Sequence, residues 1–487
     1  MPESRDFRDD PVVLLEDLIR LREAVAQEGD SLFAAWEPQI QRERFKDSAA
    51  NLANYLALRR RDIRPLQEAL PPWGLSSLGR SESFVLPNLD AVIATLSAVC
   101  GRADVPRPEV SRFREPGQLL LRNTIDLFGP SDRSVRIMVT LPAEAAGDPT
   151  LISDLARGEA DLFRINCAHD GPDLWDGMLD HVRAARESTG KELRVLMDLG
   201  GPKARTLNVR LPESRRERVF EGDLLLLTDR DNVASPLSLQ CSLPDVLSQV
   251  DIGHRVRMDD GKITALVEQR TAEGLLLRIT HVRQGGQKLQ ADKGLNFPDT
   301  RLDLPPLTDT DLAHLDYVTA NADLVGYSFV QNPDDIDRLF AELDRRSEGP
   351  LPGIILKIET QFAFRRLPDL IVRTAGRERC GVMIARGDLA AELGYGRLVE
   401  IQEELLWFCE AAHLPVIWAT QVLETMVKKG LPSRAEMTDA AMAERAECIM
   451  LNKGPFIREG ARMLDEVIRR MEGHQRKKTA RLRKLSF

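Results

Sequence analysis

Eight short apolar segments recur between residues 135 and 452, and they constrain the possible folds of this chain more than any other feature. Helical patterns such as LWDGMLDHVRAARES and LVEIQEELLWFCEAA separate nearly all of them. Strands that alternate with helices indicate a parallel sheet covered by helices. Eight such units favour a closed TIM (β/α)8 barrel of the α/β class over an open sheet. The predicted strands are VRIMVT (135–140), DLFRIN (161–166), LRVLMD (193–198), DLVGYSF (323–329), GIILKI (353–358), GVMIA (381–385), VIWAT (416–420) and CIMLN (448–452).

The stretch between the third and fourth predicted strands is too long for an ordinary βα loop. Residues 206–297 contain VFEGDLLLLTD, HRVRMDDGKITALVEQR and GLLLRITHVR, in which apolar and polar residues alternate between Gly and Asp turns. This alternation is typical of half-buried antiparallel strands. We predict a small antiparallel β-barrel domain that is inserted after strand three and forms a lid over the barrel.

The two ends of the chain differ from the barrel region. The first 130 residues have helical periodicity, as in LLEDLIRLREAVAQ, so a helical N-terminal extension is predicted. Residues 476–484 carry six Lys or Arg side chains; we interpret them as a solvated helix end, with an anion or partner contact as the alternative. The predicted domains are the helical extension (1–130), the first part of the barrel (131–205), the inserted lid (206–297), the second part of the barrel (298–475) and a basic tail (476–487).

Charge and cysteine pattern argue against several classes of function. The chain has a formal net charge of −9, which disfavours nucleic acid as a partner because phosphate backbones need a basic surface. The six cysteines lack the spacing of a zinc site and suit a reducing compartment. The polar, acidic N-terminus is unlike a signal peptide, and no stretch approaches the length of a membrane span. We therefore expect a cytoplasmic protein without a membrane partner.

Charged and hydroxyl side chains gather where the predicted strands end. Active sites of β/α barrels lie at the C-terminal ends of the strands, so these side chains should meet at one mouth. A lone charge is more often part of a structural ion pair, but convergence from six strands favours a functional site. The residues at these ends are Arg164, Asn166, Asp198, Ser328, Phe329, Lys357, Glu359, Arg386, Gly387, Asp388, Thr420 and Gln421.

The residue types at this mouth suit phosphoryl or enolate chemistry. Glu359 and Asp388 could hold a divalent ion and leave coordination sites open for substrate oxygens. Arg164, Arg205 and Lys357 could neutralise a phosphoryl group during transfer, where positioning and electrostatics dominate. The sequence has no Walker loop and no Gly-rich dinucleotide loop, so a nucleotide would be held in another way.

A series of short motifs runs through the same segments. In chain order they are DLFRINCAHD, VLMDLGGPKART, MDDGKI, KGLNFPDTRLDLPPLT, IILKIET, MIARGDLAAEL, PVIWATQVLETM and PSRAEMTDA. Taken singly, RGDL or KIE would be weak evidence. In this order and on these strands, the set resembles the pyruvate kinase family over roughly residues 133–470.

The resemblance implies roles for individual residues. Glu359 and Asp388 would bind Mg²⁺ or Mn²⁺, which bridges the carboxylate and the phosphate of phosphoenolpyruvate. Lys357 would stabilise charge on the phosphoryl group in flight. Arg164, supported by Arg205, would contact the same group.

The resemblance also implies a substrate side of the site. The backbone at Ala385, Arg386 and Gly387 would hold the substrate carboxylate. Thr420 would lie beside it, near the proton path to the enolate, and Ser328 would pack under the metal.

A nucleotide side is implied as well. Asn166, His169 and Lys293 would face ADP or ATP, and Asp260 would join them when the inserted domain closes. Closure would exclude water, so that the phosphoryl group reaches ADP and is not hydrolysed.

The sequence departs from the family pattern where potassium-dependent members hold their monovalent cation. Ala168 and Leu199 stand in place of a Ser and a Thr, and Lys203 replaces a Glu. A fixed ammonium can supply the missing charge, so we predict that K⁺ is not required. The compatible alternative is that Lys203 simply pairs with Asp198 or another acid.

Two further departures concern strand eight and the end of the chain. The family's LSGETAxG becomes LNKGPFIREG around residues 452–455, which puts activity or substrate preference in question. The sequence ends soon after the last barrel helix, without the usual C-terminal effector domain of the family. We therefore expect that the usual effector does not regulate the chain and that any homo-oligomer forms differently.

The leading hypothesis is transfer of the phosphoryl group of phosphoenolpyruvate to ADP, giving pyruvate and ATP in glycolysis. One alternative keeps the metal and enolate chemistry in a lyase that acts on pyruvate or oxaloacetate. Another is a catalytically impaired homologue that binds metabolites. Barrels host many reactions, so fold alone does not choose among the three.

Overall fold

The structure is a computed structural model that describes residues 10–102, 104–212, 218–231, 233 and 235–484. Its α-helices are α1 (Pro11–Trp36), α2 (Lys46–Arg59), α3 (Arg64–Ala69), α4 (Val85–Val99), α5 (Ser111–Phe128), α6 (Pro149–Arg157), α7 (Pro172–Thr189), α8 (Pro244–Gln249), α9 (Asp309–Asn321), α10 (Pro333–Arg346), α11 (Gln361–Arg365), α12 (Leu367–Ala375), α13 (Arg386–Leu393), α14 (Tyr395–Ala411), α15 (Glu424–Lys429), α16 (Arg434–Ala443) and α17 (Ile457–Met471). Its strands are β1 (Arg136–Thr140), β2 (Leu162–Asn166), β3 (Arg194–Asp198), β4 (Thr206–Arg210), β5 (Arg218–Val219), β6 (Leu224–Thr228), β7 (Ser238–Cys241), β8 (Arg255–Met258), β9 (Ile263–Thr271), β10 (Gly274–Val282), β11 (Gln287–Lys288), β12 (Leu295–Asn296), β13 (Leu324–Tyr327), β14 (Gly353–Ile358), β15 (Cys380–Ala385), β16 (Val416–Ala419), β17 (Cys448–Leu451), β18 (Gln475–Arg476) and β19 (Thr479–Ala480).

Eight parallel strands close into a barrel in the order β1-β17-β16-β15-β14-β13-β3-β2. These are the eight apolar segments of the sequence, so the predicted fold class is confirmed. Their residues are buried almost without interruption because helices cover the outside and side chains fill the inside. The C-terminal ends of the strands, which carry the polar residues, therefore all lie at the same rim of the barrel.

Alternate residues of the strands fill the barrel interior. The C-terminal end of α5 closes the opposite end from the polar rim. This helix lies within the predicted helical extension, but its position at the end of the barrel was not predicted. The interior cluster comprises Leu127 and Phe128 of α5 with Met138, Leu162, Leu196, Leu324, Ile355, Met383, Ile417, Ala419, Cys448 and Met450.

A second sheet, in the order β12-β8-β9-β10-β6-β7-β4, lies between β3 and α9 in the sequence. It has its own apolar core, in which Leu225, Val256 and Ile279 are buried. The prediction of purely antiparallel pairing is wrong at one place, because β6 and β7 run parallel. The sequence that connects β6 to β7 is long enough to span the length of β6. β7 can therefore begin beside the start of β6 and run in the same direction.

The N-terminal helices lie against the outside of the barrel. Arg42 Nη1 donates to the carbonyl oxygens of Ala375 at 2.9 Å and Glu378 at 2.6 Å. The buried His413, in a turn after α14, bonds Ser48 Oγ of α2 through Nδ1 at 2.9 Å. Apolar side chains of α1, α2 and α4 belong to the same continuous core as the outer face of the barrel, so the extension is an integral part of this body.

One segment of the described chain, Glu82–Val99, is long and apolar enough to cross a membrane by length and composition alone. The expectation that no stretch approaches this length is therefore wrong. Half of that segment is buried inside the protein, where α4 packs against α1 and α2. Buried core helices pass the same test, so this observation is weak evidence for a membrane span.

The basic C-terminal segment does not continue α17 as a frayed helix, contrary to the prediction. α17 ends at Met471, and β18 and β19 form a short antiparallel hairpin, with Gln475 opposite Ala480. Lys477 lies in the hairpin turn and forms an ion pair with the buried Glu447. The neighbouring Lys478 forms an ion pair with the buried Glu82. Burial of two partner carboxylates under the hairpin gives this segment a defined position.

Glu444, which precedes β17, gives a testable pH dependence. Burial raises the pKa of this carboxyl group from an ordinary 4.5 to about 7, so its neutral form favours the folded state and stability is lost as the pH rises between these values. We expect Glu444→Gln to raise the free energy of unfolding by about 1 kcal/mol at pH 8, with a smaller effect at pH 5. Thermal melts at both pH values measure this, with the exposed Glu348→Gln as control. An equal effect at both pH values would contradict it.

Candidate active site

The Lys357 ammonium lies at the centre of the polar rim. It follows the interior residue Ile355 by two positions on β14, so the strand alternation directs it into the mouth of the barrel. Its Nζ donates to Ser328 Oγ at 2.5 Å and lies 3.2 Å from both Asp198 Oδ1 and Glu359 Oε1. Burial alone would lower the pKa of Lys357, but the two carboxylates raise it above the ordinary value. The group therefore keeps its positive charge.

Asp198 ends β3 and is fully buried between two cations. Arg164 of β2 approaches it with Nε at 2.7 Å and Nη2 at 2.6 Å from Oδ2, and Lys357 lies at Oδ1. Burial alone would raise the pKa of Asp198, but Lys357 and Arg164 hold it below the ordinary value. Gly326 of β13 makes room for this carboxylate, because a Cβ there would lie 2.5 Å from Oδ1.

Glu359 and Asp388 form a pair of neighbouring carboxylates beside Lys357. Glu359 follows β14, is almost fully buried and accepts a 2.6 Å hydrogen bond from the Phe329 amide. Asp388 lies in the first turn of α13. Burial raises the pKa of Glu359, and the negative charge of Asp388 adds to the shift. The pair therefore carries negative charge at a crowded, desolvated position.

This pair fits a divalent cation. Asp388 Oδ1 is buried and is paired with the Lys203 ammonium at 2.6 Å. Carboxylate oxygens are the ligands that Mg²⁺ and Mn²⁺ prefer, and Mg²⁺ commonly uses only one or two of them together with substrate oxygens and water. No set of three or more His, Cys, Asp or Glu side chains in the described residues is arranged to hold a metal, so two protein carboxylates would leave most of the coordination sphere open.

Lys203 faces the carboxylate pair and not Asp198. Besides its ion pair with Asp388, its ammonium lies 5.9 Å from the centre of the Phe329 ring. Phe329 itself has a left-handed backbone with φ of 54°, and Gly201, at φ of 67°, leaves space for it. The predicted pairing of Lys203 with an acid is therefore observed, with Asp388 as the partner.

The end of β16 carries a strained residue. Thr420 has φ of 63°, which is rare for a β-branched residue, and its Oγ1 accepts a 3.0 Å hydrogen bond from the Gly387 amide. The buried Arg386 guanidinium bonds the backbone carbonyls of Ala419 and Thr420 and forms a two-point ion pair with Asp439. Arg386 thereby supports the conformation that points Thr420 at the first turn of α13.

Two of the residues predicted on the nucleotide side, Asn166 and His169, lie at the end of β2 and in the turn that follows it. The Asn166 side chain accepts a 3.2 Å hydrogen bond from the Ala168 amide in the turn after β2. His169 is exposed, and desolvation together with the nearby Arg205 and Lys453 cations lowers its pKa. His169 therefore lies among both cations and carboxylates, and the cations have the larger effect on its pKa.

Arg205 and Lys293 are anchored where the second sheet joins the barrel. Arg205 pairs with Asp292 at 3.2 Å, and its support of Arg164 at the phosphoryl group stays a prediction. Lys293 exchanges two 2.8 Å hydrogen bonds with Thr206 through its backbone. Both residues thus lie where the second sheet joins the barrel.

The second sheet also contacts α13 directly. Arg257 donates to the carbonyl of Ala391 at 2.8 Å, and Asn296 donates to Glu392 at 3.3 Å. Burial raises the pKa of Glu392 to about 7, and nearby Asp388 contributes to the shift. Asp260, in the turn after β8, lies close enough to Lys203 and Asp388 to affect its pKa, which desolvation raises. The sheet therefore approaches the carboxylate pair from one side.

Sequence reasoning missed three residues that organise the site. Asp439 holds Arg386, Thr140 Oγ1 lies 3.3 Å from Arg164 Nη1, and Asp311 accepts from the amides of Gly200 at 2.9 Å and Gly201 at 3.2 Å. Asp311 had a visible signal, since Thr308 and Asp311 form a capping box at the start of α9. Asp439 lies within the PSRAEMTDA motif, but this motif does not predict that Asp439 pairs with Arg386.

The altered loop after β17 packs tightly below the rim. A Cβ at Gly454 would lie 2.6 Å from the carbonyl oxygen of Val427 on α15. Lys453 is close enough to contribute positive charge at His169. The loop therefore adds a cation at the mouth where the family pattern has Ser, Glu and Thr.

Fold and site together define a β/α-barrel protein whose mouth combines buried cations with a carboxylate pair. A family profile described as "Pyruvate kinase, barrel domain" matches residues 132–455. The chain belongs to the pyruvate kinase family. Family membership implies a divalent metal, which agrees with the Glu359 and Asp388 pair.

Individual relatives agree with this assignment. The pyruvate kinase of Methylorubrum extorquens is 31% identical over 327 residues, covering 66% of this chain and 64% of the relative. Human pyruvate kinase PKLR is 30% identical over 367 residues, covering 72% of this chain and 61% of the relative. The matched region is thus less than two thirds of the length of these relatives.

A solved structure supports the fold. The crystal structure of a pyruvate kinase from Cryptosporidium parvum superposes with a TM-score of 0.62 at 24% identity, covering 72% of this chain and 70% of that one. At this identity the similarity supports the architecture alone.

Proposed function

We propose that this chain transfers the phosphoryl group of phosphoenolpyruvate to ADP and so yields pyruvate and ATP. The observation that carries the proposal is the buried Lys357 ammonium, held between Asp198 and Glu359 beside the carboxylate pair. A desolvated cation there can stabilise a phosphoryl group while its bond to the enol oxygen breaks and its bond to a β-phosphate oxygen of ADP forms. Membership of the pyruvate kinase family agrees with this chemistry.

Glu359 and Asp388 would hold Mg²⁺ or Mn²⁺. When bound, the ion would offset negative charge on the substrate oxygens. Arg164, oriented by Asp198 and Thr140, would direct its guanidinium at the same phosphoryl group.

The substrate carboxylate would lie at the start of α13, against the backbone of residues 385–387, where the Gly387 amide now donates to Thr420 Oγ1. Thr420 would border this position, and the proton that converts the enolate to pyruvate would arrive through water near its hydroxyl. Ser328 would contribute by holding Lys357 in place at 2.5 Å.

The nucleotide would lie between the barrel rim and the second sheet. Asn166, His169 and Lys293 would face it, and Asp260 would approach when the sheet closes as a lid. We infer the domain limits given above (1–130, 131–205, 206–297, 298–475 and 476–487). Lid closure would exclude water during transfer. We place the reaction in cytoplasmic glycolysis, with small-molecule partners and a homo-oligomer as the expected assembly.

The direct test is pyruvate formation from phosphoenolpyruvate, ADP and Mg²⁺, measured with the purified full chain. Turnover that requires all three supports the proposal. If phosphoenolpyruvate binds without turnover, the impaired-homologue hypothesis gains support. Release of pyruvate from oxaloacetate without ADP would instead favour the lyase hypothesis, for which the loop at residues 452–455 is the motivating feature.

Potassium dependence tests the role of Lys203. The wild-type chain should work equally well in choline chloride and in KCl, because the Lys203 ammonium already sits 2.6 Å from Asp388. Lys203→Met should lower the turnover number by about tenfold in choline chloride, which corresponds to ~1.4 kcal/mol of lost stabilisation. KCl should restore part of this activity. Lys191→Met, at the other end of the barrel, is the control; a wild-type chain that needs K⁺ would refute the role of Lys203.

A further inference from the structure

A large cavity lies at the other end of the barrel, beside the first residues of β1 and β17. Its volume is about 840 Å³, within the range of small-molecule sites. One wall is the outer face of α5, and the opposite wall is the β18–β19 hairpin. The site described above is at the C-terminal ends of the strands, so this cavity is separate from it.

The hairpin wall is held in a strained conformation. Its two-residue turn places Lys477, and not a glycine, in the left-handed region with φ of 53°. The Lys477 ammonium is buried at Glu447, and Lys478 is anchored at Glu82 with its ammonium 4.8 Å from the Trp407 ring. These contacts keep the hairpin in place as a wall of the cavity.

Most acidic groups of the cavity already have partners. Glu447 accepts from the Val416 amide at 2.9 Å and pairs with Lys477. Glu472 accepts from the Ser134 amide at 2.7 Å. Glu444 differs, because the residue is 5% exposed and its buried Oε2 has no hydrogen-bond partner. The Gln475 amide is near enough to lower the pKa of Glu444, but it donates to the Ala441 carbonyl at 3.3 Å. An unsatisfied buried oxygen in a cavity wall points to a missing donor.

Several basic groups of the cavity lack an acidic partner in the described residues, and two of them, Arg114 and Arg476, are exposed. Arg114 on α5 and Arg476 on β18 line it and, within the described part of the chain, neither side chain makes an ion pair or hydrogen bond. Arg136 also lines it; this residue is 2% exposed, and its guanidinium bonds only backbone carbonyls, those of Gly129 and Ser134. Arg481 lines it as well and donates to the backbone carbonyl of Glu472 at 3.1 Å. In the described residues, four guanidinium groups without a carboxylate partner therefore surround one space.

The remaining surface of the cavity is apolar. Phe84 and Phe113 lie edge to face with ring centroids 5.2 Å apart, and Leu121 exposes 48% of its surface. Side chains of this kind accept a flat apolar group, whereas paired guanidinium groups favour a planar or tetrahedral dianion.

We propose that this cavity binds a small organic phosphate with an aromatic body. The phosphate would pair with Arg114 and Arg476, near the buried Arg136, and the ring would lie against Phe113 and Leu121. A hydroxyl or amine of the ligand would donate to Glu444. This site is independent of the phosphotransfer proposal.

The test uses phenyl phosphate as the probe and the full chain as the receptor, with binding followed by isothermal titration calorimetry. Gly117→Phe fills the cavity, because the nearest neighbour of a Cβ at Gly117 is Arg476 Nη2 at 3.9 Å. We expect this variant and the double variant Arg114→Gln/Arg476→Gln to weaken binding by at least about tenfold. Arg112→Gln, on the same helix but outside the cavity lining, should bind like wild type.

Two comparisons separate the parts of the proposal. Phenol, which lacks the anion, and inorganic phosphate, which lacks the ring, should each bind at least about tenfold more weakly than phenyl phosphate. Phenyl phosphate that binds at the C-terminal rim of the barrel would still bind to Gly117→Phe. Only the binding that this variant loses is therefore assigned to the cavity. Equal binding to all variants, or phenol binding as tightly as phenyl phosphate, would overturn the proposal. If Gly117→Phe does not fold, the double variant still decides the question.

Discussion

Lys357→Met is expected to reduce the turnover number for pyruvate formation by about a thousandfold or more, comparable to loss of a catalytic cation in other phosphoryl transfers. The ammonium is nearly buried and lies 3.2 Å from each of two carboxylates. Methionine has a similar length but no charge, so the charge on the phosphoryl group would lose its nearest stabilising group. The measurement is steady-state pyruvate formation under saturating phosphoenolpyruvate, ADP and Mg²⁺.

Folding must be separated from catalysis in this variant, because removing one partner of a buried charge cluster costs roughly 3–5 kcal/mol. Asp198 keeps Arg164, whereas Glu359 loses its adjacent cation. Near-ultraviolet circular dichroism reports whether the variant keeps its packed core. Lys191→Met should retain wild-type turnover. A folded Lys357→Met chain with turnover within tenfold of wild type would rule out the proposed role of this lysine.

The second large effect is expected at the metal pair. Asp388→Asn and Glu359→Gln each remove one negative charge from the position proposed for the divalent ion. Each substitution should weaken Mn²⁺ binding by at least about 100-fold, because loss even of an outer contact commonly costs 10–100-fold. Electron paramagnetic resonance of free Mn²⁺ measures binding directly and does not depend on turnover.

The metal experiment has a matched control and a clear opposite outcome. Glu348→Gln also removes one carboxylate charge, but this residue is exposed in the loop before β14, at the other end of the barrel. It should bind Mn²⁺ like the wild-type chain. If Asp388→Asn and Glu359→Gln bind Mn²⁺ as tightly as this control, the two carboxylates are not the metal ligands.

Lys203 should also affect metal binding at the Glu359 and Asp388 pair. This ammonium lies between the metal pair and the ring of Phe329, and it already neutralises part of the charge of Asp388. A cation bound at the pair would therefore compete with Lys203 for Asp388. Mn²⁺ titration of Lys203→Met would reveal this competition as tighter binding than in the wild-type chain.

The sequence by itself determined the barrel, because local chemistry encodes it. Each strand is a short apolar run long enough to be buried on both faces, and each helix has its own amphipathic period. Polar residues at strand ends meet at one rim of such a barrel. This rule predicted from the sequence that Lys357, Glu359 and Thr420 lie close together. The family motifs were specific because they combine these ends in a fixed order.

Only the tertiary structure decided which charges pair. Lys203 could have paired with Asp198 or another acid, and its partner is Asp388; Arg386 is held by Asp439, more than 50 residues away. The parallel pairing of β6 with β7 and the burial of Lys477 were also decided only by the tertiary structure. Residues far apart in sequence meet only when the chain folds. The energy of a charged group depends on its burial and on the charges around it, and a local sequence pattern contains neither.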